Sequence, residues 1–576
     1  MNLKYEIAKF ASISENQILA SPKIEMGDFC LPCFSMAKLE NQRPDLYAKN
    51  LMEKLSAKKN YLIEKMETMG GYLNFFINKK TAAEKILQTV LNTDFKYRNI
   101  GNGKTICIDY CSANLAKYLH IGHISTTMIG ESLHRIYKAL GYKVIRINYL
   151  GDYGTTFGKM VVAIQLWGDM SDIKIRGVEA IQDLYIKFSA EENDDLMDKA
   201  RFASRQIEEK KGTEYEIYKT IIDIAIKECK RIIKMIGVDF DDWRGESFYA
   251  DKTDSIVAEL KEKNISKTEN GAEIIDLSEY NLTPTVVRRS DGGSVYLARD
   301  LCAVQDRFDL YKFDEMLYVV AMQHNTYFAQ LFKILELLKR PYAKKLKHIN
   351  YGMFSVPEGK IASRKGKQAL FVDIFQKAYD EAEKNIKSRD FDEEYKKETS
   401  AKIAKSVIAF SILKVERAKD KVFDIKTAVS FEGETAPYIQ YTYARCCSLI
   451  ENFEKTFHNE KLNFENSAEM TNEIIEKRQC SENEKINQAY NNFFEIFKII
   501  SNFDETVLQA KEKAEPCLIA RELIGLCKEF NKLYQEIKLI STDFFESSCL
   551  MRIVLSVKKI LEFGMPLVVV DIVKKM

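Results

Sequence analysis

Between Lys104 and Leu150 the sequence changes its hydrophobic period twice, and that change limits the folds open to this chain more than any other feature. In Lys104–Tyr110, Ile106 and Ile108 alternate with their neighbours, the period of a buried strand. From Gly122 to Leu140 the residues Ile124, Met128, Leu133, Ile136 and Leu140 follow a drifting helical stripe, and Gly141 supplies its C-terminal stop. Lys143–Leu150 reads as a second strand. Strand, helix, strand at this spacing predicts a βαβ unit with a right-handed crossover and parallel strands. Sheets of this kind bind ligands beyond the carboxyl ends of their strands.

Around this unit the text divides the chain into three. Residues 1–95 mix short helical patterns with Gly70-Gly71, a turn, followed by the strand-like Tyr72–Ile77. Residues 100–395 hold the βαβ unit and an α/β Rossmann-type domain with a parallel sheet. Within them, about 169–237 is helical and charged, an insertion or a layer over the sheet. Thr285–Val287 and Val295–Leu297 read as two strands of a hairpin turning at Asp291-Gly292-Gly293, and Met316–Ala321 as another strand. Residues 396–576 are helix-periodic throughout apart from a polar loop near Asn459–Asn472, which predicts an all-α domain. No internal repeat is present. The small first part is α+β.

With 33 Phe, 29 Tyr and only 9 Pro in 576 residues, disorder is excluded as the main state. Lys and Arg total 86 against 84 Asp and Glu, a net charge of +2, which excludes a globally basic nucleic-acid coat but not a local basic face. Met1–Ala20 carries Glu6 and Glu15 and does not read as a signal peptide, and the apolar run Met565–Val570 is too short to span a bilayer. Cys30 and Cys33 form a Cys-x-x-Cys without a second ligand pair, and Cys446 and Cys447 are adjacent. They read as reduced, unliganded thiols of a cytoplasmic protein.

The chemistry concentrates in Asp109–His123, which leaves the first strand and opens the helix. A helix start presents unpaired N–H groups and a positive dipole end to phosphate. His120 and His123, three apart, can share one side of that first turn, Gly122 lets a flat base approach the backbone, and Lys117 adds a cation. Taken alone, the two histidines are equally well explained as a cap. Neither Gly-x-Gly-x-x-Gly nor Gly-x-x-x-x-Gly-Lys is present here, so a plain dinucleotide or P-loop reading fails. Further on, Gly359–Lys367 gathers four cations, Lys360, Arg364, Lys365 and Lys367, with Gly359 and Gly366 in the same stretch. Such runs are usually solvated loops, but this one is also suited to closing over a leaving pyrophosphate.

His120-Ile121-Gly122-His123 resembles the first signature of class I aminoacyl-tRNA synthetases, and Lys360–Gly366 resembles the second, with Ala362 in place of a usual serine. Ser112–Lys117, Asn148–Gly158, Gly245–Ser247, Tyr296–Asp300 and Glu432–Arg445 resemble the arginyl-tRNA synthetase family, in that order and over nearly the whole chain. The resemblance implies ATP contacts at His120, Gly122, His123, Lys360 and Ser363, with Lys117, Arg364 and Lys365 adding to charge stabilisation. It implies that Asp300 and Glu246 surround a guanidinium with Tyr296 beside it. Asn114 and Asp109 would hold the α-amine, with Ser112 next to them, and His324 falls where the family pocket has a glutamine.

The helical region resembles the family's anticodon-binding domain. Tyr438, Tyr441 and Arg445, at i, i+3 and i+7, share a helix face that can stack bases and clamp phosphate. Tyr534, the terminal Met576 and, in the first domain, Asn74 are implied as further tRNA contacts. The implied reaction is activation of L-arginine by ATP with Mg²⁺ and transfer to tRNA(Arg), with tRNA needed even for the first step. No tightly bound protein metal and no membrane partner are expected, and the enzyme is expected to be a monomer. Another class I synthetase, a non-catalytic tRNA-binding paralogue of the same fold, and a nucleotide-binding switch are the competing readings.

Overall fold

The computed structural model of the chain describes residues 2–92, 97–116, 118–355, 370–387, 389–457 and 483–576. Its first part is an antiparallel sheet in the order β1 (Leu19–Ala20), β2 (Phe29–Pro32), β4 (Tyr72–Ile77), β3 (Ile63–Met69). The β3–β4 hairpin turns at Gly70-Gly71, where Gly70 takes a φ of +58° that side chains disfavour. Cys30 and Cys33 are buried and unbridged.

The next strands are β5 (Thr105–Asp109), β6 (Lys143–Ile147), β7 (Lys267–Glu269), β8 (Ala272–Ile275), β9 (Thr285–Arg288), β10 (Glu315–Tyr318) and β11 (Leu346–His348). Four of them form one parallel sheet in the order β11-β10-β5-β6. The helix Ile121–Ala139 crosses from β5 to β6, as the period change predicts. Alternation along the strands divides the sheet between two cores. Ile106, Ile108 and Leu317 point to one, and Cys107, Met316 and Tyr318 to the other. Helices therefore cover both faces, the doubly wound arrangement. The chain leaves β5 for β6 on one side and returns to β10 on the other. The gap between β5 and β10 is thus the switch point, with Asp109 and Tyr318 paired at its carboxyl end.

Residues 170–235 form four helices, Met170–Arg176, Val178–Ala190, Asp194–Glu208 and Gly212–Met235. The hairpin expected around Asp291-Gly292-Gly293 is corrected. The turn exists, with Arg289 N donating to Gly293 O at 3.1 Å, but β9 pairs with β8, and it meets the far arm in the isolated Arg288–Ser294 bridge. Tyr296 opens the helix Tyr296–Tyr311, because Leu297, Ala298, Leu301 and Val304 bury one helical face against the second core. A three-residue apolar window could not show that longer period.

After residue 392 the described chain is mainly helical, with Glu393–Leu413, Ala436–Thr456, Phe494–Lys513, Cys517–Glu536 and Phe544–Leu567 the long members. The polar loop near Asn459–Asn472 lies outside the described residues. Fully buried Arg552 donates to Glu84 at 2.8 Å, tying the last helix to the helix Lys79–Asn92. Among the described residues no helix is long and apolar enough to cross a membrane.

Candidate active site

A cleft of about 520 Å³ opens at the carboxyl ends of β5 and β10. Asp109, Ser112, Asn114, Glu246, Tyr296, Asp300 and His324 all line it, joined by Tyr149, Arg307, Tyr318 and Tyr327. They arrive from separate stretches of chain that only the fold brings together. The turn out of β5 is sharp: Cys111 and Ser112 have φ of +70° and +44°, a left-handed pair without glycine. Such a conformation persists only where its surroundings fix it. Here the Ser112 hydroxyl donates back to Asp109 Oδ1 at 2.8 Å. Asn114 is held by its Oδ1, which accepts from Ala116 N at 3.0 Å, and by a bridge to Gly151.

The three carboxylates of the cleft are not equivalent. Asp109 is ion-paired with buried Arg307 at 2.9 Å, whose guanidinium lies 4.8 Å from the Tyr149 ring centre. Glu246 is ion-paired with Arg299 at 2.7 Å. Asp300 has no ion-pair partner among the described residues. Its Oδ2 accepts from the Tyr327 hydroxyl, while Oδ1 is buried and has no hydrogen-bond partner among the described residues. Burial, with the charge of Glu246 adding to it, pushes the Asp300 carboxyl up to about 7. Burial likewise raises Glu246, against the opposing pull of Arg299. With Asp109, Glu246 and Asp300 ionised, two guanidiniums balance two of the three charges and leave one net negative charge at Asp300. A buried acceptor in that state calls for a cationic donor. Tyr296, 58% exposed, stands at the mouth with its ring 5.0 Å from Tyr327.

On the far side of β5 the two histidines form a reciprocal cap. His120, the N-cap of the helix Ile121–Ala139, accepts from Gly122 N through Nδ1 at 3.1 Å, and His123 Nδ1 accepts from His120 N at 3.2 Å. The capping reading and the phosphate reading are therefore the same geometry. A ring nitrogen that accepts carries no proton, so each neutral ring is fixed in the tautomer with N–H at Nε2. A Cβ on Gly122 would come within 2.9 Å of the His120 ring, so glycine here serves the imidazole itself, in addition to keeping the backbone open for a base.

In the helical region the Ala436–Thr456 and Cys517–Glu536 helices bring the aromatic cluster together. The Arg445 guanidinium lies 4.8 Å from the Tyr441 ring and 4.3 Å from the Tyr534 ring. It also donates to Asn531, whose amide donates to the Tyr438 hydroxyl at 3.0 Å. Asn531 joins the group without having been marked by the sequence. Met576 packs against the hydrophobic core, and the final segment follows the Ala436–Thr456 helix, with Gln440 donating to Asp571 O at 2.9 Å.

Several expectations lie outside the described residues. Asn74 is 6% exposed and sits inside β4, in register with Cys30 and Glu67 on its neighbouring strands. Lys117, Lys360, Ser363, Arg364 and Lys365 fall outside the described residues. Gln323, the neighbour of His324, turns instead to Met353, with Nε2 2.9 Å from its sulfur.

Arg307, Arg299, Tyr149 and Tyr327 carry no role in the sequence reading. Arg307 could have been found, since it stands two helical turns from Asp300 on one helix and shares its face. The others depend on long-range packing.

Three family models match the chain. They are the arginyl tRNA synthetase N-terminal domain over residues 2–77, the catalytic domain of class I (R) tRNA synthetases over 86–425, and the DALR anticodon binding domain over 439–576. An arginine–tRNA ligase of Halothermothrix orenii is 37% identical over 566 residues, covering 98% of this chain and 96% of the relative. One from Alkaliphilus metalliredigens is 36% identical, covering 96% and 94%. The fold matches Thermus thermophilus arginyl-tRNA synthetase with a TM-score of 0.79 at 20% identity, over the full length of both chains. With a site at the sheet's switch point, a capped histidine pair and matches that span its length, the chain belongs to the arginyl-tRNA synthetase family.

Proposed function

We propose that the cleft holds L-arginine beside ATP bound at the His120 helix, and that through it the chain works as an arginine–tRNA ligase. The observation that carries this reading is Asp300 Oδ1, a buried acceptor without a hydrogen-bond partner among the described residues, on a group with unbalanced charge. A guanidinium supplies both the charge and planar N–H donors. Asp300 and Glu246 receive it, Tyr296 packs along the stem, Asn114, Ser112 and Asp109 take the α-amine end, and His324 closes the wall. The substrate carboxylate attacks the α-phosphorus of ATP, which enters with Mg²⁺. The bond to the β-phosphate oxygen breaks and pyrophosphate leaves arginyl-adenylate. The 2′- or 3′-hydroxyl of the terminal tRNA adenosine then attacks the adenylate carbonyl and AMP departs.

No side-chain nucleophile takes part. Rate comes from alignment and from N–H donors where phosphate charge grows, among them Nε2–H of His120 and His123. Lys117, Lys360, Ser363, Arg364 and Lys365 join them on sequence grounds. Replacing Gly122 by Ala forces the His120 ring out of its cap and crowds the backbone where the base approaches, which lowers kcat and raises the ATP KM, each roughly tenfold, with the arginine KM little changed. Steady-state aminoacylation checks this.

The Tyr441–Arg445–Tyr534 stack, with Tyr438 and Met576, receives the anticodon end of tRNA(Arg), since aromatic faces and a guanidinium suit splayed bases. Arg445→Ala raises the KM for tRNA roughly tenfold and leaves those for arginine and ATP unchanged, as aminoacylation at varied tRNA measures. The same reading has the enzyme act as a monomer in the cytoplasm; light scattering on the purified chain tests the former. Full-length relatives named as ligases weigh against a non-catalytic paralogue. ATP–pyrophosphate exchange across the amino acids, with and without total tRNA, tests the whole. Exchange with arginine that appears only when tRNA is added supports it. Exchange with another amino acid keeps the class and overturns the pocket. Silence in a folded, tRNA-binding protein favours the paralogue.

A further inference from the structure

Arg299 does not line the cleft, and its guanidinium is buried beside it. Its side chain is 7% exposed. Nε and Nη2 both donate to Glu246 Oε2, at 3.0 and 2.7 Å, and Nη1 donates to the Ser294 carbonyl and hydroxyl, at 3.2 and 2.8 Å. Its plane stands 4.8 Å from the Tyr153 ring. Four hydrogen bonds and a ring contact hold the fork, and the fork in turn holds one oxygen of Glu246. The next residue in the helix is Asp300, the unbalanced carboxylate.

We propose that Arg299 is a specificity-determining positioning residue, which fixes and neutralises Glu246 so that the cleft accepts a planar guanidinium in preference to an ammonium. The inference rests on the reading of the cleft as an arginine site. Without Arg299, Glu246 is an unpaired, mobile carboxylate beside Asp300, an end that any flexible cation can satisfy, a lysine side chain included. With it, one negative charge remains and the acceptors stand at fixed positions. A planar fork can bond Asp300 and the edge of Glu246 together, whereas a point charge satisfies one and leaves the other desolvated.

Arg299 also acts on the titration of Asp300. Tyr327 and Tyr296, Glu246, Tyr149, Tyr318 and Arg307 face that carboxyl from the elements packed around it. Of these, Glu246 is the one negative neighbour, and Arg299 is its counter-charge. Removing Arg299 exposes Asp300 to the full charge of Glu246 and delays its ionisation.

The test is pyrophosphate exchange by the full chain, with tRNA present, using arginine and lysine across pH 5.5 to 8.5. Arg299→Gln is expected to raise the arginine KM roughly 10- to 100-fold, with kcat and the ATP KM within about twofold. It also narrows the preference for arginine over lysine and moves the acid-side midpoint of the arginine KM upward by about one pH unit. Arg299→Lys, which keeps the charge and loses the fork, returns the midpoint toward that of the wild type but not the preference. In a Glu246→Gln background the Arg299→Gln change adds little, because its partner is gone. If Arg299→Gln does not fold, Arg299→Lys and Glu246→Gln carry the comparison. An arginine KM, midpoint and preference unchanged from wild type overturn the inference, as does full additivity with Glu246→Gln. If the wild-type chain activates a different amino acid, the arginine reading of the cleft is what fails.

Discussion

Asp300→Asn raises the arginine KM by roughly two orders of magnitude and leaves the ATP KM unchanged. The reason is the bookkeeping of charge in the cleft. Arg307 and Arg299 already balance Asp109 and Glu246, so the cation of the substrate meets Asp300. Losing one partner of a buried charged contact costs about 2–5 kcal/mol, and each 1.4 kcal/mol is tenfold. Asparagine keeps the shape and can still accept from Tyr327, so the effect isolates the charge. The wild-type enzyme should also show it through pH. The Asp300 carboxyl titrates at about 7, and its ionised form is the one that binds guanidinium. The arginine KM is therefore flat above pH 7 and climbs about tenfold per unit below it, whereas Asp300→Asn has no such slope.

Stability moves the other way. Because burial raises this acid, the folded protein holds a proton between about pH 4 and 7 that the unfolded chain has released. Stability without substrate thus falls as pH rises through that window, and the cost is complete above pH 7. Asn cannot ionise. At pH 8 the substrate-free Asp300→Asn protein melts higher than wild type, and the two converge near pH 4. Thermal melts at the two pH values check this. A wild-type protein as stable as the variant at pH 8 would remove Asp300 from the buried, unbalanced position assigned to it.

Removing the histidine donors should slow adenylate formation about 100- to 1,000-fold, the usual loss for a preorganised donor to transition-state charge. The choice of variant matters, because each histidine also caps the helix. Asn is a preferred N-cap residue, and Gln at the third helical position completes a capping box. His120→Asn therefore keeps the helix start while removing the ring N–H at Nε2, because its shorter amide does not reach that point, whereas a Gln at 123 keeps an N–H donor and serves as the milder comparison. The expected result is a fall in kcat for pyrophosphate exchange with near-normal Michaelis constants and an unchanged melting temperature. A fall in stability that tracks the fall in rate would return the pair to a purely capping role.

Much of this site is legible in the sequence because class I chemistry is written in local runs. Asp109–His123 leaves β5 and opens the next helix, so strand period, histidine spacing and helix start all occur in one window. The aromatic stripe Tyr438, Tyr441, Arg445 is likewise local, one face of one helix. What failed was also informative. Val295–Leu297 reads as a strand because three apolar-flanked residues cannot distinguish a period of two from one of 3.6. Asn74 is named from the family resemblance, and its low exposure in β4 is a property that no local pattern shows.

By itself the sequence determined the parallel βαβ core and the helical carboxyl region, which follow from periodicity, while the residues named for the cleft come from resemblance to the family. Only the tertiary structure decided their electrostatic roles. Arg307 reaches Asp109 across 198 positions and Arg299 reaches Glu246 across 53, and those two pairings are what leave Asp300 as the open carboxylate. A one-dimensional pattern gives the charges but not their partners. Ionisation and binding depend on distances of a few ångströms and on burial, and both are set only when the chain has closed around the site.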